Sequence, residues 1–321
     1  MIAACVPFVD ALTQAILPVL AIAGAGFILG RARDVGVDAL ATVTIYVLTP
    51  ALVFSSLATS QLGGDAVLQL TLGVVAFSLI MVGLSEGAAA LLGETGPVRS
   101  GMVLTSTFAN AGNYGIPLSA FAFGAVGRST AVLYIAVQSV VMYTIGVYVA
   151  SRGSTGEWRR SVLEVFKLPL VYAVVAAGAA RWFQVVPPTD STIMQVISLT
   201  GDSAIPVMLL MLGIQLANTS YGATIRRVWA PVALKTLVAP LVAIGLALGL
   251  SFADPAVGRV FILECSMPAA ITPLMLTIEY GGGDGAIDGP AFVSTTIMVT
   301  TLLSIPALAV LISVLQSGVV I

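Results

Sequence analysis

Histidine is absent from the 321-residue chain, and charged side chains make up only 9% of it. The first absence removes the commonest metal ligand and the commonest general base. The second excludes a soluble domain of this length, because soluble chains carry about 25% charged residues. The two cysteines, Cys5 and Cys265, both sit in apolar runs, which argues against a disulfide framework. No G-x4-G-K-[ST] phosphate loop occurs, so ATP-driven pumping by this chain is not expected. The net charge of −2 carries no nucleic-acid signal. The opening MIAACVPFVD lacks the basic stretch of a cleaved signal peptide, so the first apolar run is expected to be retained.

What fills the chain instead is hydrocarbon. Hydrophobic residues make up 58%, and the mean hydropathy is +1.06. A bilayer-spanning helix needs about 20 mostly apolar residues, and the apolar runs are too long for barrel strands. Ten spans are expected, at about 9–30, 38–59, 66–92, 98–124, 127–150, 163–183, 191–217, 228–251, 256–280 and 289–316. Odd-numbered connections hold Arg31, Arg33, Arg99, Arg152, Arg159, Arg160, Lys167, Arg226 and Arg227; even-numbered ones hold only Arg128, Arg181 and Arg259. The positive-inside rule then puts the odd connections in the cytoplasm and both termini outside the cell membrane. Trp158, Trp182 and Trp229 fall near span ends, as interfacial anchors do.

Shifting the chain against itself by 156 residues lays Pro50 on Pro206 and Pro117 on Pro273. The fourth span then overlays the ninth, and the fifth the tenth. Five spans per half is an odd number, so the second half must run inverted. The expected fold is an all-α membrane protein of two inverted five-helix repeats: 1–150, a short cytoplasmic connection at 151–162, and 163–321.

Two matched segments are poor membrane helices. TFANAGNYGIPLSAFAFG (Thr107–Gly124) carries Asn110, Asn113 and a Gly115-Ile116-Pro117 break; LECSMPAAITPLMLTIEYGG (Leu263–Gly282) carries Pro268, Pro273 and Glu264. Proline removes a backbone donor and clashes with the carbonyl four residues back. Freed backbone groups are tolerable at membrane depth only against protein or a water-filled cavity. Equivalent breaks in inverted halves would cross near the midplane, presenting half-helix N-termini and amides to an anion. Asn110, Asn113, Gly115, Pro117, Pro268 and Pro273 are therefore the expected substrate site, with no catalytic residues and no metal.

Glu86, Asp202, Lys235 and Glu264 are the charges expected well inside spans. Each costs about 2.5–3.5 kcal/mol at mid-span, so each needs a partner, water or a function. Glu264, four residues before Pro268, suits a proton carrier or a sodium ligand; a buried ion pair with Lys235 competes with that assignment. Lys235 suits an anionic substrate, or a partner in Glu264 or Glu86. A solvated helix N-cap with Gly201 competes at Asp202, and Glu86 is expected to be paired near the cytoplasmic interface.

The same residues carry a family resemblance. Asn110 with Gly115-Ile116-Pro117-Leu118 resembles the N-x5-G-I-P-L segment of the plant PIN auxin efflux carriers. Met267-Pro268, Pro273 and Glu279-Tyr280 resemble their ninth span, and Asp202-Ser203-Ala204 with Leu212-Gly213 their seventh. The likeness covers all ten spans without the long cytoplasmic loop of plant members, as in bacterial and archaeal members of the auxin efflux carrier family. It implies a dimerising scaffold of spans 1, 2, 6 and 7 and a mobile unit of spans 3–5 and 8–10, moving as an elevator. It also implies that Asn110 contacts a substrate carboxylate and that Pro117 and Pro273 mark the crossing. Two departures are Glu264, where relatives carry glutamine, and the lack of a match for an acidic residue early in the third span.

The expected function is secondary transport of a small organic anion, with proton or sodium as the coupling ion and no cofactor. An uncoupled uniporter or channel on the same scaffold is the alternative. An intramembrane aspartyl protease is disfavoured: Gly281-Gly282-Gly283-Asp284 matches its G-x-G-D pattern, but that chemistry needs two carboxylates sharing a proton, and Asp284 falls in a short loop with no Tyr-Asp partner in any span. Asn218-Thr219-Ser220 has the form of a glycosylation acceptor but falls on the expected cytoplasmic side, and Gly26 with Gly30 makes a small-residue packing face.

Overall fold

The computed structural model describes residues 11–33, 35–151, 165–218, 225–280 and 289–321. The chain forms helices α1 (Leu12–Ala32), α2 (Asp38–Ala58), α3 (Gly64–Leu91), α4 (Gly96–Thr107), α5 (Ala111–Ser151), α6 (Pro169–Trp182), α7 (Thr192–Asn218), α8 (Trp229–Leu250), α9 (Pro255–Cys265), α10 (Thr272–Tyr280) and α11 (Gly289–Gln316). The connection at 152–164, the Gly281–Asp284 pattern, Trp158 and Thr219-Ser220 lie outside the described residues.

Seven of these helices are long and apolar enough to cross a membrane, against ten expected spans. The difference has local causes. The fourth and ninth spans are interrupted, leaving α4, α9 and α10 too short to qualify, and the sixth is represented by the 14 residues of α6. The 41-residue α5 joins two expected spans across Gly124, whose φ of 60° and ψ of −139° are not helical. Only glycine adopts that conformation without strain, so the chain turns there between its fourth and fifth apolar runs.

Four prolines in the spans are absorbed by widening rather than by breaking. π-turns at Ala11–Ile16, Thr44–Leu48, Ala111–Gly115 and Leu234–Val238 each end two residues before a proline: Pro18, Pro50, Pro117 and Pro240. Proline has no N–H and crowds the preceding turn, and the wider i→i+5 ladder relieves both defects. The expected break at Gly115-Ile116-Pro117 is therefore corrected: that stretch is helical, and the interruption lies at Phe108–Asn110 instead.

Polar residues inside the bundle are mostly turned back on their own helices. The hydroxyls of Ser78, Thr105 and Thr296 each donate to the carbonyl four residues earlier. Large apolar side chains such as Ile28, Leu91 and Leu199 face outward, as lipid contact requires.

α1 packs most intimately on α7. A side chain at Gly213 would run into the Ala23 carbonyl, and one at Gly26 into the backbone of Leu210. The Gly26–Gly30 face is thus spent inside the chain. α2 lies against α6 and α7, while α3, α4, α5, α8, α9 and α11 pack chiefly on one another.

Candidate functional site: the crossing of two interrupted helices

α4 ends at Thr107 and α5 starts at Ala111; α9 ends at Cys265 and α10 starts at Thr272. The two intervening strips cross as a single antiparallel bridge between Ala109 and Ala269. The Asn110 N–H donates to the Pro268 carbonyl at 2.8 Å, and the Ala270 N–H donates to the Phe108 carbonyl at 2.9 Å. Each break thereby satisfies backbone groups of the other, the condition for irregular chain at membrane depth. Pro268 contributes only an acceptor, which is all its place in the bridge uses. The bridged residues are 269 − 109 = 160 positions apart, four more than the offset that aligns the prolines.

The outward groups of the bridge are held by neighbouring helices. Gln138 of α5 donates its amide to the Ala109 carbonyl at 2.8 Å and accepts from the Ala109 N–H at 3.2 Å. The Thr300 hydroxyl of α11 accepts from the Ala269 N–H at 3.2 Å.

Asn110 is 6% exposed, and its Nδ2 has no partner among the described residues. It lines a cavity of about 270 Å³ together with Leu212 and Gln215 of α7 and Ser294 and Thr301 of α11. Asn113 lines an adjoining cavity of about 470 Å³ with Thr44, Tyr143, Thr272 and Glu279; Gln215, Ile271 and Met275 border both. The cavities lie between α2 and α7 on one side and the starts of α5 and α10 on the other. A buried donor left unpaired costs about 1–3 kcal/mol, so Asn110 is a costly residue unless a ligand accepts from it.

Glu264, on the last turn of α9, is fully buried. Its Oε1 accepts the Ser119 hydroxyl at 2.6 Å, and its Oε2 has no partner among the described residues. The carboxylate rests directly on the α5 backbone at Gly115, where any Cβ would overlap it. Lys235 of α8 is also fully buried. Its ammonium donates to the Cys265 carbonyl at 3.3 Å, at the negative end of α9, and lies 5.7 Å from the Phe77 ring centroid. A small cavity of about 60 Å³ joins Lys235 to Ser266, Pro268 and Thr300 beside the bridge.

Lys235 and Glu264 form no ion pair; each is held by its own partner instead, which corrects the pairing considered from sequence. The structure thus gathers Asn110, Gly115, Pro268, Glu264 and Lys235 around the crossing, with Asn113 in the adjoining cavity. Pro273 lies in the first turn of α10 and Pro117 just after the opening π-turn of α5, both inside helices. Glu86 does not join the group: its carboxylate accepts from Arg99 at 2.7 Å. Asp202 does not join it either. Its side chain pairs with Arg128 at 2.5 Å rather than capping a helix.

Sequence reasoning passed over Gln138, Ser119 and Thr300. Gln138 had a readable signal, a primary amide within the apolar run AVLYIAVQSVVMY. Serine and threonine had none, because most hydroxyls in these spans simply return to their own helix.

Comparison with known proteins identifies the family of the chain. The profile of the family described as "Membrane transport protein" matches residues 11–312. The chain belongs to this family, that of the auxin efflux carriers. It is also 26% identical over 304 residues to an uncharacterized transporter of the archaeon Methanothermobacter thermautotrophicus, covering 92% of this chain and 96% of the relative. Membership fixes the coarse function: a multi-pass membrane transporter, from a family of transporters and not of enzymes.

Proposed function

We propose that the transporter carries a small organic anion, a carboxylate, by secondary active transport, and that the crossing is its site. The observation that carries this reading is Asn110. A buried amide with an unpaired donor faces a cavity at the start of one half-helix, beside the start of a second. Two half-helix N-termini supply partial positive charge, the amide supplies a hydrogen bond, and the ammonium of Lys235 adds a full charge behind the bridge. A carboxylate answers all three.

The packing supports a reading by alternating access. In this reading the ten apolar runs are spans of two inverted repeats. The first, second, sixth and seventh form a scaffold that pairs with a second copy, and the others form a unit that carries the crossing past it in an elevator movement. Both cavities at the crossing lie along the seam between these groups, where a ligand is exposed to one side at a time. In the same reading both termini lie outside the cell, on the arginine count of the connections.

Glu264 is the coupling group in this scheme. A fully buried carboxylate with one oxygen unpaired is stabilised by a proton or a sodium ion, and loading it changes the charge of the moving unit. The same feature favours a coupled carrier over a uniporter or channel, which has no use for a costly unpaired acid.

Proteoliposome uptake tests the proposal. Concentrative uptake of a radiolabelled carboxylate should require an imposed proton or sodium gradient, and Glu264→Gln should abolish that requirement while the protein still folds. Asn110→Ala should weaken substrate binding at least tenfold. Gradient-independent flux in the wild type would establish the channel instead.

A further inference from the structure

A second polar cavity, away from the crossing, surrounds Arg128. It has a volume of about 450 Å³ and lies beside the Gly124 turn of α5, the end of α2 and the middle of α7. Ser55, Ser56, Thr59, Ser60, Ser129 and Ser198 give it a hydroxyl lining. Among the described residues Arg128 is the lone cation on the wall, and it is held by three hydrogen bonds. Its Nε donates to Ser56 Oγ at 2.8 Å, one terminal nitrogen donates to Ser55 Oγ at 3.3 Å, and the other to Asp202. These contacts use three of the five guanidinium N–H groups.

The two ends of the ion pair differ in a telling way. The Arg128 side chain is 22% exposed, whereas that of Asp202 is 58% exposed. The guanidinium is thus fixed by serines in a wall, and its carboxylate partner stands in the open. An ion pair so exposed contributes little, about 0.2–1 kcal/mol, and is readily exchanged. A planar guanidinium fork with unspent donors is well matched to a carboxylate. The hydroxyl protons of Ser56, Ser60 and Ser198 are not committed to backbone carbonyls among the described residues and are free to turn toward an anion.

We infer that the Arg128 cavity is a second anion-binding site, at which the carboxylate of a small organic acid displaces Asp202 from the Arg128 guanidinium. Asp202 is then a built-in competitor. The site lies where α5 meets α2 and α7, so its occupant replaces the one ionic contact of Arg128 with α7 and leaves its hydrogen bonds to Ser55 and Ser56 of α2 in place. The inference concerns binding and stands apart from transport through the crossing.

The sign of one substitution separates this role from a structural salt bridge. Full-length protein in lipid nanodiscs is titrated calorimetrically with sodium succinate and with sodium benzoate, at constant ionic strength against sodium chloride. Asp202→Asn should tighten carboxylate binding about two- to fivefold, the worth of the exposed pair it removes. Arg128→Gln should lose this binding at least tenfold, with or without Asp202→Asn, and Arg128→Lys should not restore it. In an Asn110→Ala background, where the crossing no longer contributes, the Arg128-dependent component of the binding should persist. Unchanged or weaker binding in Asp202→Asn overturns the inference, as does wild-type affinity in Arg128→Gln or no carboxylate binding in either the wild type or Asp202→Asn. Should Arg128→Gln fail to fold, Asp202→Asn still decides, since its carboxylate faces solvent. If uptake depends on Asn110 while neither Arg128 nor Asp202 affects binding, the second site falls and the transport reading stands; tightening in Asp202→Asn without any uptake gives the converse.

Discussion

The side-chain amide of Gln138 grips both backbone groups of Ala109, donating to its carbonyl and accepting from its N–H. Ala109 is at the same time the residue that bridges to Ala269, so one glutamine on α5, beyond the Gly124 turn, fixes the place where the two interrupted segments cross. The position of the crossing is therefore set by a side chain as much as by the prolines beside it.

Replacing that amide should loosen the crossing. Gln138→Leu leaves a buried N–H and a buried C=O without partners, at about 1–3 kcal/mol each. We expect a clearly lower melting temperature in detergent and loss of uptake. Gln138→Glu, which keeps the acceptor for the Ala109 N–H but loses the donor, should fall between. Melting of the leucine variant at the wild-type temperature would mean the grip contributes nothing to holding the strip.

Gly115 makes a sharper case, because alanine in a helix ordinarily stabilises by about 0.5–1 kcal/mol over glycine. Here a Cβ would overlap the Glu264 carboxyl. Gly115→Ala must push that carboxyl off Ser119, so it should lower stability and disrupt ion-coupled uptake together. Gly83→Ala on α3, where a Cβ meets nothing within 4 Å, is the matched control and should be neutral or stabilising. Equal behaviour of the two variants in thermal melts would show that the Glu264 contact with α5 is not tight.

The α1–α7 crossing is tested by size alone. A methyl at Gly213 would collide with the Ala23 carbonyl, which belongs to helix backbone and has little room to move. Gly213→Ala should destabilise by about 1–3 kcal/mol, the usual range for overpacking. Gly24→Ala, the next residue on α1 after Ala23 but with open space around it, should not. A wild-type melting temperature for Gly213→Ala would require the two helices to separate freely, contrary to the close approach seen.

The sequence revealed the membrane class, the runs that become helices and the two segments that fail to stay helical, because those depend on composition and on the chemistry of proline and asparagine. It placed the fourth-span break seven residues too late. Pro117 looks like a breaker, but a π-turn absorbs it, and the helix parts instead at Phe108–Asn110, where the bridge offers the backbone better partners. Partners were the least legible feature. Whether Lys235 meets Glu264 or the Cys265 carbonyl depends on the rotation of α8 against α9, and nothing within either segment encodes that angle. Arg128 and Asp202 lie 74 residues apart on different helices, and their pairing is visible only in three dimensions.

Lys235 offers the last test. Its ammonium is buried without a carboxylate partner among the described residues, resting on one carbonyl and the face of Phe77. Replacing a buried charge by an apolar side chain of similar shape is often neutral or stabilising, because the desolvation cost disappears. Lys235→Met should therefore melt at or above the wild-type temperature. If the ammonium attracts the substrate through the bridge, the same variant should lose carboxylate uptake, and Lys235→Arg should recover part of it only if the larger guanidinium fits beside Thr300 and Ser304. A variant that melts higher and still concentrates carboxylate at the wild-type rate would show that Lys235 serves neither the fold nor the substrate. A variant that melts far lower would make the contact with Cys265 a structural clamp on the end of α9.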